Sequence, residues 1–309
     1  MAFKSQKIVL LAKPESVYGT DSVPVGATNA ILAGNVKLVP MTQEAPARNT
    51  IRPYFSNEGK LLAGKHVQLD FDVEIAGAGA AGSAPGWGAL LKGCAMGETI
   101  SAGVSAVYAP ISAGEQSLSL YFCLDGIQHK LLGARGSFSM KFSKGGIPLL
   151  NFKFIGLYAA PTDTALPAPT LTGFQKALAV CQANTTPVSL HTYAGIFQDI
   201  SLDIGNSNLY RNLIGSESIA FVDRKPAGSC TMELPTIAAK DWFSIAAAGT
   251  TGALTLTHGT AAGNKVTIGA PAVQVTNPTY SSADNIEHLG LTLDLLPSAG
   301  NDELTITVL

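Results

Sequence analysis

The most regular pattern in the chain is the strict alternation of apolar and polar residues over positions 67–75. Every odd position is apolar, and the even positions include three carboxylates, Asp70, Asp72 and Glu74. This alternation predicts a β-strand with one face on a core and an acidic face opposite. Carboxylates two residues apart lie about 6.6 Å from each other along a strand, a spacing that could serve a metal ion or an acid pair for glycoside hydrolysis. No second His or carboxylate cluster accompanies them, which favours a solvated strand face.

Similar amphipathic strands occur in pairs further along the chain. Segments 117–123 and 128–132 flank an Asp125-Gly126 turn, and segments 136–142 and 149–155 flank a glycine-rich turn. An Asp-Gly turn between alternating strands is a strong hairpin signal. Because no helical segment long enough for a crossover separates these strands, we predict an antiparallel sheet.

The pattern recurs in the second half of the chain. When Val67 is aligned with Cys230, the apolar residues of the two segments fall at the same alternate positions. An Arg-Asn pair also precedes each segment, with its Asn 18 positions before Val67 and before Cys230. Each copy then continues with one of the two tryptophans, Trp87 and Trp242, which open short apolar runs of helical character. The repeat favours a duplicated domain, in which each tryptophan anchors its helix on the sheets.

We therefore predict a mainly β protein with two tandem antiparallel β-sandwich or barrel domains, each with one short flanking α-helix. A proline-rich stretch without periodicity favours a semi-rigid linker between them. The predicted boundaries are 1–160 for the first domain, 161–175 for the linker and 176–309 for the second, diverged domain. Within the first domain we expect an N-terminal arm at 13–30 and loops at 49–64 and 76–86.

Gly77, Gly79 and Gly82 follow the alternating strand with the G-x-G-x-x-G spacing of dinucleotide-binding turns. However, the preceding strand is half acidic, whereas the strand before a dinucleotide site is buried and apolar. The corresponding stretch of the second copy, residues 235–241, is shorter and has no glycine. We therefore predict a mobile loop and no cofactor.

Composition excludes several classes of function. Charged residues make up 14% of the 309 residues and the net charge is −2, which gives no basic surface typical of nucleic-acid binding. The four cysteines lack metal-ligand spacing and are expected to be reduced thiols. No stretch approaches the roughly 20 apolar residues of a membrane span. The motifs G-x-S-x-G and H-E-x-x-H and the P-loop are missing from the sequence, so no enzymatic activity and no metal is predicted.

Many short segments resemble those of the major tail tube proteins of long, non-contractile-tailed bacteriophages. The likeness covers most of the chain and is densest over residues 11–170. It is carried by Lys13-Pro-Glu-Ser-Val-Tyr-Gly-Thr-Asp21, Arg52-Pro-Tyr54, Gly64-Lys65-His66, Ala84-Pro-Gly-Trp-Gly88, Tyr108-Ala-Pro-Ile-Ser112, Gly145-Gly-Ile-Pro148 and Asn277-Pro-Thr-Tyr280.

The resemblance implies a virion protein, made in the bacterial cytoplasm, that forms rings and stacks them into the tail tube. In such rings the inner sheets close into one barrel, through which DNA passes without specific binding and in which the tape measure protein is held. Three chains would form a ring if both copies are tube domains, which we favour, and six if the second copy decorates the outside. Tail terminator and distal tail proteins are the other implied partners.

The resemblance also suggests roles for particular residues. A wall that faces DNA should repel phosphate, and Asp70, Asp72 and Glu74 are the candidates for it. Contacts between subunits or rings are expected in the arm and the loop at 49–64. The candidate contact residues are Tyr18, Asp21, Arg48, Arg52, Tyr54 and Lys60. The alternatives are a virion decoration or adhesin-like β-sandwich and, with less support, a carbohydrate-active enzyme.

Overall fold

Antiparallel strands dominate the first half of the chain in the computed structural model, which describes residues 3–48 and 50–309. Its strands are β1 (Ile8–Pro14), β2 (Ala30–Ile31), β3 (Gly34–Gln43), β4 (Lys65–Glu74), β5 (Met96–Ser101), β6 (Ser105–Pro110), β7 (Leu118–Leu124), β8 (Ile127–Ser143), β9 (Leu149–Tyr158) and β10 (Thr162–Asp163). Its helices are α1 (Gly26–Asn29) and α2 (Gly88–Lys92).

The second half has the same character. Its strands are β11 (Thr185–Leu190), β12 (Phe197–Asp203), β13 (Asn206–Leu213), β14 (Ser216–Arg224), β15 (Ala227–Glu233), β16 (Thr251–His258), β17 (Val266–Ala283), β18 (Ile286–Leu296) and β19 (Thr305–Val308). Its helix is α3 (Trp242–Ala248), whose first turn is capped by Asp241 through a hydrogen bond from the Ser244 amide. The prediction of a mainly β, antiparallel fold with short helices is confirmed.

One eight-stranded antiparallel sheet, here termed the long sheet, runs through both halves. Its order is β3-β4-β9-β8-β12-β15-β18-β17. At the centre, β8 pairs with β12 from Ser139 opposite Asp203 to Ser143 opposite Asp199. Backbone hydrogen bonds therefore join the two halves into one sheet.

Two long strands, β8 and β17, continue from the long sheet into a second layer, which contains β1, β7, β16, β19 and β6. The first part of β8 pairs with β7, and the first part of β17 pairs with β16 and β19. Sequence analysis placed separate strands at 128–132 and 136–142, but the structure has one strand that bends at Gly133, where φ is +56°. Glycine adopts this conformation without strain, so the ladder shifts register there and continues.

The core lies between the long sheet and the second layer. Along β4 the odd residues from Val67 to Val73 are at most 1% exposed, whereas the even ones point away from the core. The Phe71 ring stacks against those of Phe152 and Phe154 on β9. The face assignment made from the alternation is therefore confirmed. Among the described residues, no helix is both long and apolar enough to cross a bilayer.

The proline-rich segment is bound along the first half. Thr164 N donates to Gly126 O and Thr170 N donates to Gly26 O, both at 2.9 Å. Phe174 packs partly against the core and lies over Gly86, where an added Cβ would come within 2.6 Å of its ring. The segment is thus a strap on the first half, in contrast to the spacer that its composition suggested. The domain boundaries stay a prediction.

The glycine-rich loop at 76–86 contacts the second half. Gly77 N donates to Asn264 Oδ1 at 2.7 Å, and Gly79 N donates to Gly263 O at 2.8 Å. A Cβ at Gly77 would lie 2.4 Å from Gly263 O, so only glycine permits this approach. The prediction of a mobile loop is wrong, because these glycines let two backbones touch. The backbone amides of Gly77 and Gly79 also donate their hydrogen bonds within the protein, and not to a bound phosphate.

Two buried histidines are expected to make the fold sensitive to mild acid. His191 and His258 are 6% and 2% exposed, and desolvation lowers the pKa of both. Below the ordinary histidine pKa of about 6.5, the unfolded chain binds protons that the folded chain does not, so stability falls as the pH drops. We expect the melting temperature to fall between pH 7 and pH 5, and to fall less when both residues are glutamine. Equal falls in the two proteins would contradict this assignment.

Candidate functional site: the open edges and polar face of the long sheet

The four strands from each half are joined in the same order. β3-β4-β9-β8 in the first half corresponds to β12-β15-β18-β17 in the second. Two hydrogen bonds align them: Ile75 N donates to Pro148 O at 2.9 Å, and Leu234 N donates to Glu287 O at 3.0 Å. The recurrence is consistent with a duplicated domain.

This alignment changes the register that spacing alone suggested. With Ile75 opposite Leu234, Phe71 corresponds to Cys230, a place that sequence analysis gave to Val67. The neighbouring strands agree, because Phe71 pairs with Phe152 and Cys230 pairs with Leu291, both core residues. The sequence spacing explains the difference: Cys230 lies 18 positions after Asn212, whereas its counterpart Phe71 lies 22 positions after Asn49.

Both end strands of the long sheet have a partner strand on one side only within the described part of the chain. β3 pairs with β4 on one side, and the last part of β17 pairs with β18 on one side. Exposed apolar side chains lie at both edges, including Val39 and Met41 on β3 and Tyr280 on β17. An open edge of this kind is a template for pairing with another chain. The sequence alone does not single out these residues as edge residues, because edge position depends on strand order.

The side of the long sheet turned away from the core, here termed the polar face, carries the predicted acidic strand. Asp70 lies across from Lys37 on β3 and from Lys153 on β9. Asp72 accepts hydrogen bonds from the side-chain amides of Asn35 and Asn151, both at 2.7 Å. Lysines and amides therefore offset the carboxylates in the first half of this face.

The second half of the polar face is more acidic. Four carboxylates lie on its strands, two of them on β12, and no Lys or Arg lies on this part of the face among the described residues. They are Asp199, Asp203, Glu233 and Asp294. They could not be singled out from the sequence, because none of them belongs to an alternating run of carboxylates like that of β4. Rows of polar residues cross the centre of the sheet, as where Ser139 lies between Asn151 and Asp203.

A hairpin of the second half, β13–β14, packs on the first half. Ile219 is fully buried; its N–H donates to Tyr18 Oη at 2.5 Å, and its carbonyl accepts from Arg135 Nη1 at 3.1 Å. The Arg135 guanidinium lies 5.1 Å from the Tyr18 ring centroid. Burial raises the pKa of Tyr18. Tyr18, predicted as a contact residue, thus joins the two halves of one chain.

The other predicted contact residues are distributed over two regions. Asp21 lies in the arm, where it accepts from Tyr121 Oη at 2.6 Å and from Lys130 Nζ at 3.0 Å. Arg48, Arg52, Tyr54 and Lys60 lie in the connection between β3 and β4 and are exposed. Arg52 is paired there with Glu58 at 3.2 Å. The predicted loop 49–64 begins at Asn49, which lies outside the described residues. A role for these residues between subunits stays a prediction.

Both tryptophans are buried where a short helix meets the sheets. Trp87 is 1% exposed, and its Nε1 donates to Ala76 O at 3.0 Å. Trp242 is also 1% exposed and packs edge-on against His191 and Tyr193. These positions fit the anchoring role, which stays a prediction.

A sheet with two open edges and one polar face defines a structural β-protein suited to association through its strands. Among the described residues, no group of three or more His, Cys, Asp or Glu side chains is arranged to hold a metal ion. A family model described as phage tail tube protein matches residues 5–294, and the chain belongs to this family. It is therefore a structural component of the phage virion. No curated protein matches the sequence.

Proposed function

We propose that three chains close into a ring whose inner wall is a continuous barrel made from three long sheets. The β17 edge of each chain pairs with the β3 edge of the next. The observation that carries this proposal is the β8–β12 pairing, which joins two four-stranded units inside one chain. If the same pairing links successive chains, six units close the ring and no edge of the long sheet stays open.

A six-chain ring, with the second half on the outside, has less support. In that arrangement β12 and its neighbours would leave the barrel wall. Within the chain, however, β12 is hydrogen-bonded to β8 and extends the same sheet. The polar face also continues across this junction, with Asp203 opposite Ser139. Both observations favour a wall built from both halves.

In this ring the polar face lines the bore. Its charged groups are three carboxylates, three lysines and Arg135 in the first half and four carboxylates in the second. A wall with excess negative charge repels phosphate, so DNA passes without the salt-dependent contacts that would hold it. Stacked rings would then form the tube of a long, non-contractile tail, hold the tape measure protein and meet terminator and distal tail proteins at the ends. The proposed role is structural and requires no catalysis or cofactor.

Negative-stain microscopy of the purified protein tests this function. We expect hollow tubes or rings with a bore wide enough for duplex DNA. Separate particles or solid fibres would favour the virion decoration or adhesin-like protein instead, and would overturn the proposal.

Reversing the charge of the acidic strand tests the lining of the bore. We expect phage carrying Asp70→Lys, Asp72→Lys and Glu74→Lys to assemble tails but to deliver DNA poorly, because a row of cations would bind the passing phosphates. The measurement is the yield of delivered DNA per assembled particle. The matched control is Asp70→Asn, Asp72→Asn and Glu74→Gln, which removes charge without adding cations and should deliver more DNA than the lysine variant. Normal delivery by the lysine variant would place this strand outside the bore.

A further inference from the structure

We infer the residue-by-residue register of the pairing between chains: Ser281 on β17 of one chain lies opposite Lys37 on β3 of the next, and Tyr280 lies opposite Leu38. This inference rests on the proposed ring. It uses the pairing inside the chain as a template for the pairing between chains.

The first step establishes which residues of β3 correspond to which residues of β12. Because Phe71 corresponds to Cys230, the preceding residue Asp70 corresponds to Ser229. Asp70 pairs with Lys37, and Ser229 pairs with Ser201. Lys37 therefore corresponds to Ser201, and the next residues, Leu38 and Leu202, correspond to each other.

The second step establishes which residues of β17 correspond to which residues of β8. Because Pro148 corresponds to Glu287, the next residues Leu149 and His288 correspond as well. Leu149 pairs with Lys141, and His288 pairs with Ser281. Lys141 therefore corresponds to Ser281, and Met140 corresponds to Tyr280.

The template then fixes the contact. Inside the chain Lys141 lies opposite Ser201, so between chains Ser281 lies opposite Lys37. Both residues are on the polar face, since their neighbours along each strand point to the core. A lysine is thus brought opposite a serine again, with the two residue types exchanged between strands.

The core side of the same pairing explains an exposed tyrosine. Met140 and Leu202, which lie opposite each other inside the chain, are both 1% exposed. Tyr280, which corresponds to Met140, is 64% exposed in the single chain, and its ring lies 5.9 Å from that of Phe243. Leu38 is only partly buried against the core. Pairing between chains would cover both side chains.

The template also predicts where the ladder ends. Inside the chain, Ile204 N donates to Phe138 O at 3.1 Å. The residues that correspond to Ile204 and Phe138 are Pro40 and Pro278. Because proline has no N–H, the donor of this bond is missing between chains. The pairing between chains therefore runs from Thr279 to Ala283 and stops at the prolines.

Engineered disulfides test the register. Bonds from Lys144 N to Gln198 O and from Ile204 N to Phe138 O place Lys141 and Ser201 in a pair that exchanges no hydrogen bonds. Cα atoms in such pairs are about 4.5 Å apart, within the range that a disulfide spans. The variant Lys37→Cys with Ser281→Cys, in a Cys181→Ser background that removes the exposed native thiol, should therefore link neighbouring chains under mild oxidation.

Three matched variants complete the test. Lys37→Cys with Thr279→Cys moves one thiol two residues along the strand and should give at least about tenfold less linked product, because diagonal side chains are too far apart. Lys37→Cys alone should give none. Lys141→Cys with Ser201→Cys should close a disulfide within one chain, which checks the template and the folding of such variants. Each is kept reduced until microscopy shows assembly, and products are separated on non-reducing gels.

The outcomes separate this inference from the function. Linked chains up to a closed trimer from the Ser281 variant support the register. Rings in which the Thr279 variant links and the Ser281 variant does not overturn the register and leave the proposed function intact. Wild-type protein that forms no rings overturns the proposed function itself.

Discussion

Tyr280→Asp leaves the chain folded but prevents it from assembling into rings. Tyr280 is largely exposed in the single chain, so the substitution should change the stability of the unassembled chain by about 1 kcal/mol or less. In the proposed ring the same position is buried opposite Leu38, where an unpaired carboxylate would cost several kcal/mol. A loss of about 4 kcal/mol at each contact weakens association roughly a thousandfold.

Sedimentation velocity and microscopy measure this effect. The matched control is Tyr280→Phe, which keeps the apolar ring and should assemble like the wild type. A thermal melt of the unassembled aspartate variant separates failure to assemble from failure to fold. Normal rings from folded Tyr280→Asp protein would show that this edge is not buried between chains.

Trp87→Ala destabilises the chain by about 3–5 kcal/mol, the range measured for large buried aromatic residues. Trp87 is 1% exposed, packs against the Tyr108 ring at a centroid distance of 6.0 Å and donates a hydrogen bond to Ala76 O. Truncation would leave both a cavity and an unpaired carbonyl. Chemical denaturation of the unassembled chain gives the change in the free energy of unfolding.

A comparison of phenylalanine variants isolates the hydrogen bond. Trp242 is equally buried, but its Nε1 has no acceptor within the described part of the chain. Trp87→Phe loses a hydrogen bond that Trp242→Phe does not, so we expect it to cost about 1 kcal/mol more. Equal costs for the two variants would show that the Trp87 bond adds nothing to stability.

Local patterns predicted the parts of the fold that depend on neighbouring residues. The alternation over 67–75 gave strand β4 and its two faces, because side-chain direction in a strand follows sequence position. The Asp125-Gly126 turn marked the hairpin of β7 and β8 in the same way. The two tryptophans located α2 and α3. Each of these signals lies within a few residues of the structure that it specifies.

The features that depend on distant contacts were not predicted. Pairing between β8 and β12 joins residues about 60 positions apart, and no turn signal specifies it. The glycines at 77 and 79 looked like a phosphate loop or a mobile loop, whereas their partner is a backbone far along the chain at Gly263 and Asn264. The acidic residues of the second half, such as Asp294, form a set only after the sheet is assembled.

The number of chains in each ring is the most direct test of this account. Mass measurement of single rings, combined with averaged end views in the electron microscope, gives that number without any substitution. We expect three chains of 31.9 kDa per ring, with three-fold end views in which six similar units surround the bore. Six chains per ring, with the second half of each projecting from the outer surface, would contradict this expectation.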